Sequence, residues 1–523
     1  MDAVSCLLIG SLQEGIQRAQ KSKGRENTFL SSFRRIFSFL PSATIFRTAA
    51  RFLRTTRQND IQKMKIQLDP LLGLRDFYPE DMRVRNWLFG LWKQVANEFG
   101  FSEYDASMVE REELYTRKAG EEIVAQMYNF EDKDKNKVTL RPEMTPTLVR
   151  MVMNKLVLNS TGSITSSEIF PLKWFSLPQC WRFETPQRGR KREHYQWNMD
   201  IIGTTDVSAE IELIAASVSF FEKAGLTESD IVFRVNSRRV LNEAMTRANV
   251  PDDKFASACV VLDKFDKVGA TDAERKREVI RQLVKDVGLN ESVAEDVVKT
   301  RELSLDQIAD LPGGADLIQL FTRAKDYGIE KWLEFDPTVV RGLAYYTGVV
   351  WETFVKTKED APIVDASGIA QPTVKFRAVS GGGRYDKLFS LYGSPVQVPC
   401  VGFGFGDCVI VELLKDRGML PDTKPRVDFL VGAWKGMQGG ALAVARQLRR
   451  SGASVDLMLE ECKRPAKVFN QADKVGADKV AFVAPDEFSK GLVRIKDLRN
   501  GDKDNRIQKD VPIDDLVNWK NYF

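Results

Sequence analysis

With 523 residues, 43% of them apolar and 29% charged, the chain is too long for one hydrophobic core and reads as roughly three ordinary domains. It has no uninterrupted apolar run of about 18 residues, which argues against a membrane-spanning helix. Six scattered cysteines without a CxxC pair and a single histidine, His194, argue against a disulfide framework, a zinc site or a His-rich metal site, and point to a reducing compartment. The net charge of +4 is mild but unevenly placed.

Thr28 to Arg57 holds Arg34, Arg35, Arg47, Arg51, Arg54 and Arg57, many hydroxyl side chains and no acid, with Phe33, Ile36, Phe37 and Leu40 at helical spacing. Residues 1–65 therefore read as a transit segment for a mitochondrion and/or plastid. A disordered basic arm on a cytoplasmic RNA-binding protein is the alternative. Fold-like patterning begins near Gly73. Helical spacing predicts a helix over Asp81 to Phe99, stopped at Gly100, then a strand over Phe101 to Val109 and a helix over Arg111 to Lys118. Tyr128 to Glu131 and Lys137 to Leu140 flank a polar turn and predict a hairpin. It leads into Arg141-Pro142-Glu143-Met144-Thr145-Pro146. A carboxylate between two prolines is held rigidly, so Glu143 is either a grip for a ligand cation or an acid favoured at the start of the next helix.

Cys180 to Gly203 organises the chain. Alternation along Trp181-Arg182-Phe183-Glu184 puts Arg182 and Glu184 on one face. Arg182, Arg188, Arg190, Lys191 and Arg192 surround a Pro186/Gly189 turn that only anions could allow to be buried. Tyr195 to Ile202 returns as a strand with Gln196, Asn198 and Asp200 on one face. Guanidiniums at the mouth of such a hairpin suit a phosphate-bearing ligand beside an amine; taken alone, it reads equally as a basic nucleic-acid-binding hairpin.

Asp206 is placed to cap a helix with the stripe Val207, Ile211, Ile214, Val218 and Phe221, ending at Gly225. About 227–332 reads as a charge-rich helical insertion, with strand signal at Ile231 to Val235. Strand signal returns at Leu333 to Val340, followed by Arg341-Gly342-Leu343-Ala344-Tyr345-Tyr346-Thr347-Gly348 and apolar Val349 to Phe354. The paired tyrosines are expected on opposite sides of a strand. Thr357 to Pro372 reads as a surface insertion. Ala378 to Asp386 carries three glycines where a backbone must approach something closely, Val398 to Gly406 is a Gly-punctuated strand, and Asp407 caps a helix ending near Gly418. After a Pro421 to Pro425 linker, alternating β and α segments predict a separate, mostly parallel α/β domain over 425–523.

The order Arg-Pro-Glu-Met-Thr, the Arg-x-Glu hairpin ending HYQWNMD, RGLAYYTG, SGGGRYD and GFGFG resembles the histidyl-tRNA synthetases, from about Leu72 to the end. The resemblance implies an α+β chain: a class II synthetase catalytic domain (66–420) with a roughly six-stranded antiparallel sheet and a helical insertion, plus an α/β anticodon-binding domain. It implies a homodimer, not membrane-bound, that activates L-histidine with ATP and Mg2+ and charges tRNA(His), with no metal site built from protein alone. It makes Arg182 and Arg341 the catalytic cations. Glu143, Met144, Thr145, Gln196, Asp200, Tyr345 and Tyr346 would hold histidine with them, Arg182, Glu184, Arg190 and His194 would meet ATP, and Gln187, Arg188 and Arg190 would meet the tRNA acceptor end. Three positions depart from the family pattern. Val409 stands where an arginine usually covers the γ-phosphate, His194 where a phenylalanine stacks on adenine, and Ser107 where a proline sits in the dimer-forming motif. A non-catalytic paralogue, the regulatory subunit of ATP phosphoribosyltransferase, and an RNA-binding sensor are the competing readings.

Overall fold

The computed structural model describes residues 67–117, 121–155, 170–262, 265, 268, 271–339, 345–356, 363–364, 370–371, 378–500 and 506–523. The basic segment 1–65, Arg341 and the three residues after it, and most of the 357–372 insertion lie outside the described residues.

Six strands form a continuous antiparallel run in the order Leu172–Ser176, Glu193–Ile202, Cys400–Gly406, Ser380–Arg384, Val349–Val355, Ile231–Ser237. Short strands extend it: Ser102–Glu103 and Leu333–Phe335 join the two edges in parallel, and Gln179–Trp181 pairs with the start of Glu193–Ile202. One face packs on helices Pro79–Glu98 and Ser208–Lys223. Trp92, Trp197, Phe220 and Phe405 meet there with ring centroids 5.2–6.1 Å apart, all fully buried. Each such ring contributes about 1.5–3 kcal/mol by leaving water, so the sheet is fixed by this face and the other is left for a ligand. Helix Pro79–Glu98 begins on a proline, with the Asp81 carboxylate accepting the Tyr78 amide at 3.1 Å, and presents Leu88, Trp92, Val95 and Ala96 to the core.

The 128–140 hairpin forms as expected and gains a third strand, Val109–Arg111. The strand expected over Phe101 to Val109 is only Ser102–Glu103 at its start, because Tyr104 to Met108 is spent crossing from one sheet to the other. The 227–332 stretch divides. Ile231–Ser237 is a buried strand of the central sheet and helix Gly314–Tyr327 packs into the main core through Leu317 and Leu320. Helices Arg238–Arg247, Phe255–Leu262, Asp272–Lys285 and Glu291–Lys299 gather around a core of their own, with Leu262, Val279, Leu283 and Val297.

The C-terminal sheet has the order Val455–Leu457, Val427–Ala433, Ala477–Val483, Leu492–Asp497, Gln508–Pro512. Its first three strands are parallel, as alternating β and α segments require, and the last two are antiparallel. In Leu492–Asp497 the buried positions are Val493, Ile495 and Asp497. A buried acid in that alternation hides the strand from a hydrophobicity pattern. Its charge is met by Lys479 Nζ at 3.3 Å.

Candidate active site

Two neighbouring strands on the ligand face of the sheet present bare backbone. Gly402, Gly404 and Gly406 stand opposite Asp200, Asn198 and Gln196, and Gly383 and Gly381 stand opposite Gly402 and Gly404. Strand alternation puts all five glycines on one face and sends Phe403 and Phe405 into the aromatic core behind. Above this floor lies a cavity of about 400 Å³. The glycines serve two purposes. A Cβ on Gly406 would meet nothing within 4 Å, so that backbone is open to a ligand. A Cβ on Gly402 would lie 1.9 Å from Asp200 Oδ1, and one on Gly383 2.8 Å from the Tyr346 ring, so those positions make room for the protein's own side chains.

Glu143, Thr145, Arg182, Glu184, Arg190, His194, Gln196, Tyr345 and Tyr346, drawn from three separate stretches, all line this one cavity. Val409 lines it too, against the Gly189 turn. Strand pairing ends at Trp181, yet Arg182 and Glu184 still share the cavity side while Trp181 and Phe183 both pack on Tyr128 at 6.2 and 5.7 Å. Glu143 precedes the helix Thr145–Met153 and its N-cap Met144, outside the first turn.

Other expectations need correcting. Met144 does not line the cavity; it is fully buried with its sulfur 3.7 Å from Arg141 Nη1. Asp200 lies behind the wall, its Oδ1 accepting from the Tyr385 hydroxyl at 2.6 Å, and it is Tyr385 that reaches the cavity. Tyr345 and Tyr346 lie in a turn ahead of strand Val349–Val355, so strand alternation does not apply and both rings face the same cavity, 5.2 Å apart. Asp407 does not cap its helix. It is the first helical residue, and its carboxylate accepts the Tyr195 amide at 3.0 Å and pairs with Arg75 Nη1 at 2.9 Å. Gln187 and Arg188, expected to meet tRNA and not the small substrates, lie outside the cavity lining, and Arg188 pairs with Glu412 at 3.2 Å and with Asp416.

The basic loop is neutralised partly by the chain itself. Arg190 Nε sits 2.7 Å from Glu184 Oε2, and Arg192 lies over the Phe183 ring at 3.9 Å. Arg182 Nε donates to the Pro142 carbonyl at 2.9 Å, which sets the guanidinium beside Glu143. Burial, then repulsion by Arg182, Arg75 and Arg190, pull His194 down to about 3, so at neutral pH it is an uncharged ring on the cavity wall. Burial pushes Asp200 up to about 7, only partly offset by the Tyr385 hydrogen bond; its Oδ2 is buried and takes no hydrogen bond from the described residues. Burial likewise raises Asp407 despite Arg75 beside it.

The sequence reading passed over the groups that hold these side chains. Arg141, 3% exposed, fixes the loop before Glu143 by donating to the carbonyls of Gln179 and Ala106 at 3.0 and 2.9 Å. The Tyr115 hydroxyl donates to the Glu143 carbonyl at 3.1 Å. Arg384 of SGGGRYD makes a buried bidentate pair with Glu210, 2.7 Å at each contact, and its carbonyl accepts the Thr347 amide at 2.7 Å just after the two tyrosines. A polar residue within an expected ligand motif was the available signal for Arg141, Arg384 and Tyr385; nothing local marks Tyr115 or Glu210.

A family model for histidyl-tRNA synthetase matches residues 73–406, and a model for an anticodon binding domain matches 429–520. The chain belongs to the histidyl-tRNA synthetase family. It is 44% identical over 454 residues to a histidine–tRNA ligase, chloroplastic/mitochondrial, of Arabidopsis thaliana, covering 85% of this chain and 86% of that one. It is 35% identical over 450 residues to the histidine–tRNA ligase of Opitutus terrae, covering 84% and 95%. Among solved structures, the histidyl-tRNA synthetase of Nostoc sp. PCC 7120 superposes with a TM-score of 0.64 at 22% identity, covering 88% of this chain and all of that one, a likeness of fold. The class II synthetase architecture and the C-terminal anticodon-binding domain are therefore those of the histidyl enzymes.

Proposed function

We propose that the chain activates L-histidine with ATP to histidyl-adenylate and transfers the histidyl group to tRNA(His). The observation that carries this reading is the single cavity over bare glycine backbone into which Arg182, Glu143, Gln196, Glu184 and the two tyrosines all converge. Attack of a carboxylate on the α-phosphate needs alignment and neutralisation of charge more than proton transfer. Arg182 would hold the histidine carboxylate and the α-phosphate together, with Arg341 as the second cation. Glu143, Thr145 and Gln196 would take the ammonium group. Tyr345, Tyr346 and Tyr385, backed by Asp200, would wall the imidazole. Glu184, Arg190 and the neutral His194 would meet the nucleotide, and Gln187, Arg188 and Arg190 the acceptor end of the tRNA.

Magnesium would enter as part of the MgATP substrate. Residues 1–65 would be a leader to a mitochondrion and/or plastid, 66–420 the catalytic part and 425–523 the anticodon-binding part, in a homodimer. The match to ligases above 30% identity across both parts favours this reading over a non-catalytic paralogue. Histidine-dependent ATP–pyrophosphate exchange tests it. A site with buried polar groups rejects apolar amino acids by about 10⁴-fold, because those groups would go unpaired. tRNA binding without exchange would refute the enzyme.

A further inference from the structure

The segment ahead of the first catalytic helix carries a group that no motif pointed to. Arg75 lies between two carboxylates from different walls of the cavity. Its Nε is 2.6 Å from Glu193 Oε1, its Nη2 donates to Glu193 Oε2 at 3.1 Å, and its Nη1 is 2.9 Å from Asp407 Oδ2. Both acids are nearly sealed, 2% and 3% exposed. Glu193 also accepts from Gln179 Nε2 at 3.0 Å, and Asp407 from the Tyr195 amide at 3.0 Å and the Cys408 thiol at 3.3 Å. The guanidinium is seated over the Phe77 ring at 4.8 Å. The chain just before it is tied to the base of the cationic loop, where the Arg192 amide donates to the Gly73 carbonyl at 2.8 Å. A Cβ at Gly73 would fall 2.8 Å from Pro186, so this contact tolerates little else.

We propose that Arg75 is a positioning residue for the nucleotide half of the site: through Glu193 and Asp407 it sets the spacing between the strand that presents His194 and the helix start that presents Cys408 and Val409. His194 and Cys408 adjoin the two acids in sequence, Val409 follows Cys408, and all three line the cavity. Without the guanidinium, two buried carboxylates would face one another uncompensated, and the two walls would part. A displacement of about 1 Å suffices to lower catalytic efficiency about 10²-fold. The histidine half has anchors of its own in Tyr115 and the Arg384–Glu210 pair, so the larger loss falls on ATP. Any processing that removes the leader must also spare Gly73 to Phe77.

The inference rests on the ATP reading above, and the experiment separates the two. Pyrophosphate exchange with the full chain is measured for wild type, Arg75→Lys, Arg75→Gln and Arg75→Gln combined with Asp407→Asn, alongside equilibrium binding of ATP alone. Arg75→Gln is expected to raise KM for ATP by about 10–100-fold with KM for histidine within about twofold. Arg75→Lys, which keeps the charge but not the fork, should fall between. Adding Asp407→Asn should recover part of the loss by removing the facing charge. An ATP KM unchanged in Arg75→Gln, or equal rises for both substrates, would overturn the proposal. If Arg75→Gln does not fold, the Arg75→Lys comparison decides on the same criterion. If the wild type shows no histidine-dependent exchange, the functional reading fails, and ATP binding by the variants still decides the role of Arg75.

Discussion

Replacing Gly402 by alanine puts the glycine floor to a quantitative test. The new Cβ would lie 1.9 Å from Asp200 Oδ1, 2.7 Å from its Cγ and 3.0 Å from the Met199 carbonyl. Carbon and oxygen cannot share that space, so the carboxylate must retreat by about 1 Å in a close-packed interior. That retreat strains or breaks the 2.6 Å hydrogen bond from Tyr385, which faces the cavity. Overpacking of this kind costs about 1–3 kcal/mol of stability. The disturbed imidazole wall should lower kcat/KM for histidine about 10²-fold, with KM for ATP nearly unchanged. Gly406→Ala is the matched control. Its Cβ meets no protein atom within 4 Å, so stability should stay within about 0.5 kcal/mol of wild type while the methyl group intrudes on ligand space. Pyrophosphate exchange and denaturant unfolding on both variants give the comparison. A Gly402→Ala enzyme with wild-type histidine kinetics, or a Gly406→Ala enzyme equally destabilised, would refute the reasoning.

Other outcomes follow from the same geometry. Asp200 holds its proton up to about pH 7 in the folded chain, against an ordinary value near 3.8. The folded state thus binds a proton that the unfolded chain releases; this contribution is complete below about pH 4 and is lost as pH rises towards 7. Asp200→Asn should flatten that part of the stability-versus-pH curve, and a curve of unchanged slope would count against it. His194→Phe, which enlarges the neutral ring on the cavity wall, should lower KM for ATP several-fold; looser ATP binding would contradict the stacking role. Glu210→Gln leaves the buried Arg384 guanidinium only the Asp386 carboxylate at 3.4 Å and should cost about 3 kcal/mol in denaturant unfolding, the low end for a broken buried pair, where a loss under 1 kcal/mol would show that the pair is dispensable.

Short-range pattern was legible where one face of an element answers to one environment. The 128–140 hairpin, the helix of Trp87 to Val95 and the glycine-punctuated strand at Cys400–Gly406 all follow from local alternation or helical spacing. The meeting of Glu143, Arg182, His194 and Tyr346 was legible only through family resemblance, since no local rule pairs Cys400–Gly406 with a strand some two hundred residues earlier. What stayed hidden depends on depth behind the surface of the site. Asp200 shares a strand face with Gln196, yet a glycine on the neighbouring strand lets it fall back onto Tyr385. Tyr345 and Tyr346 were assigned to a strand that starts three residues later. Arg75 and Glu210 carry no sequence signal because their partners lie more than a hundred residues away.

Arg182 is proposed to neutralise charge on the reacting carboxylate and phosphate. Single-turnover adenylate formation by Arg182→Gln measures this most directly, with circular dichroism to establish that the fold is kept. The rate is expected to fall about 10²–10³-fold, the scale seen when one oriented donor to a charged transition state is lost, with tRNA affinity little changed. Adenylate formed at the wild-type rate, or a defect confined to tRNA binding, would contradict it.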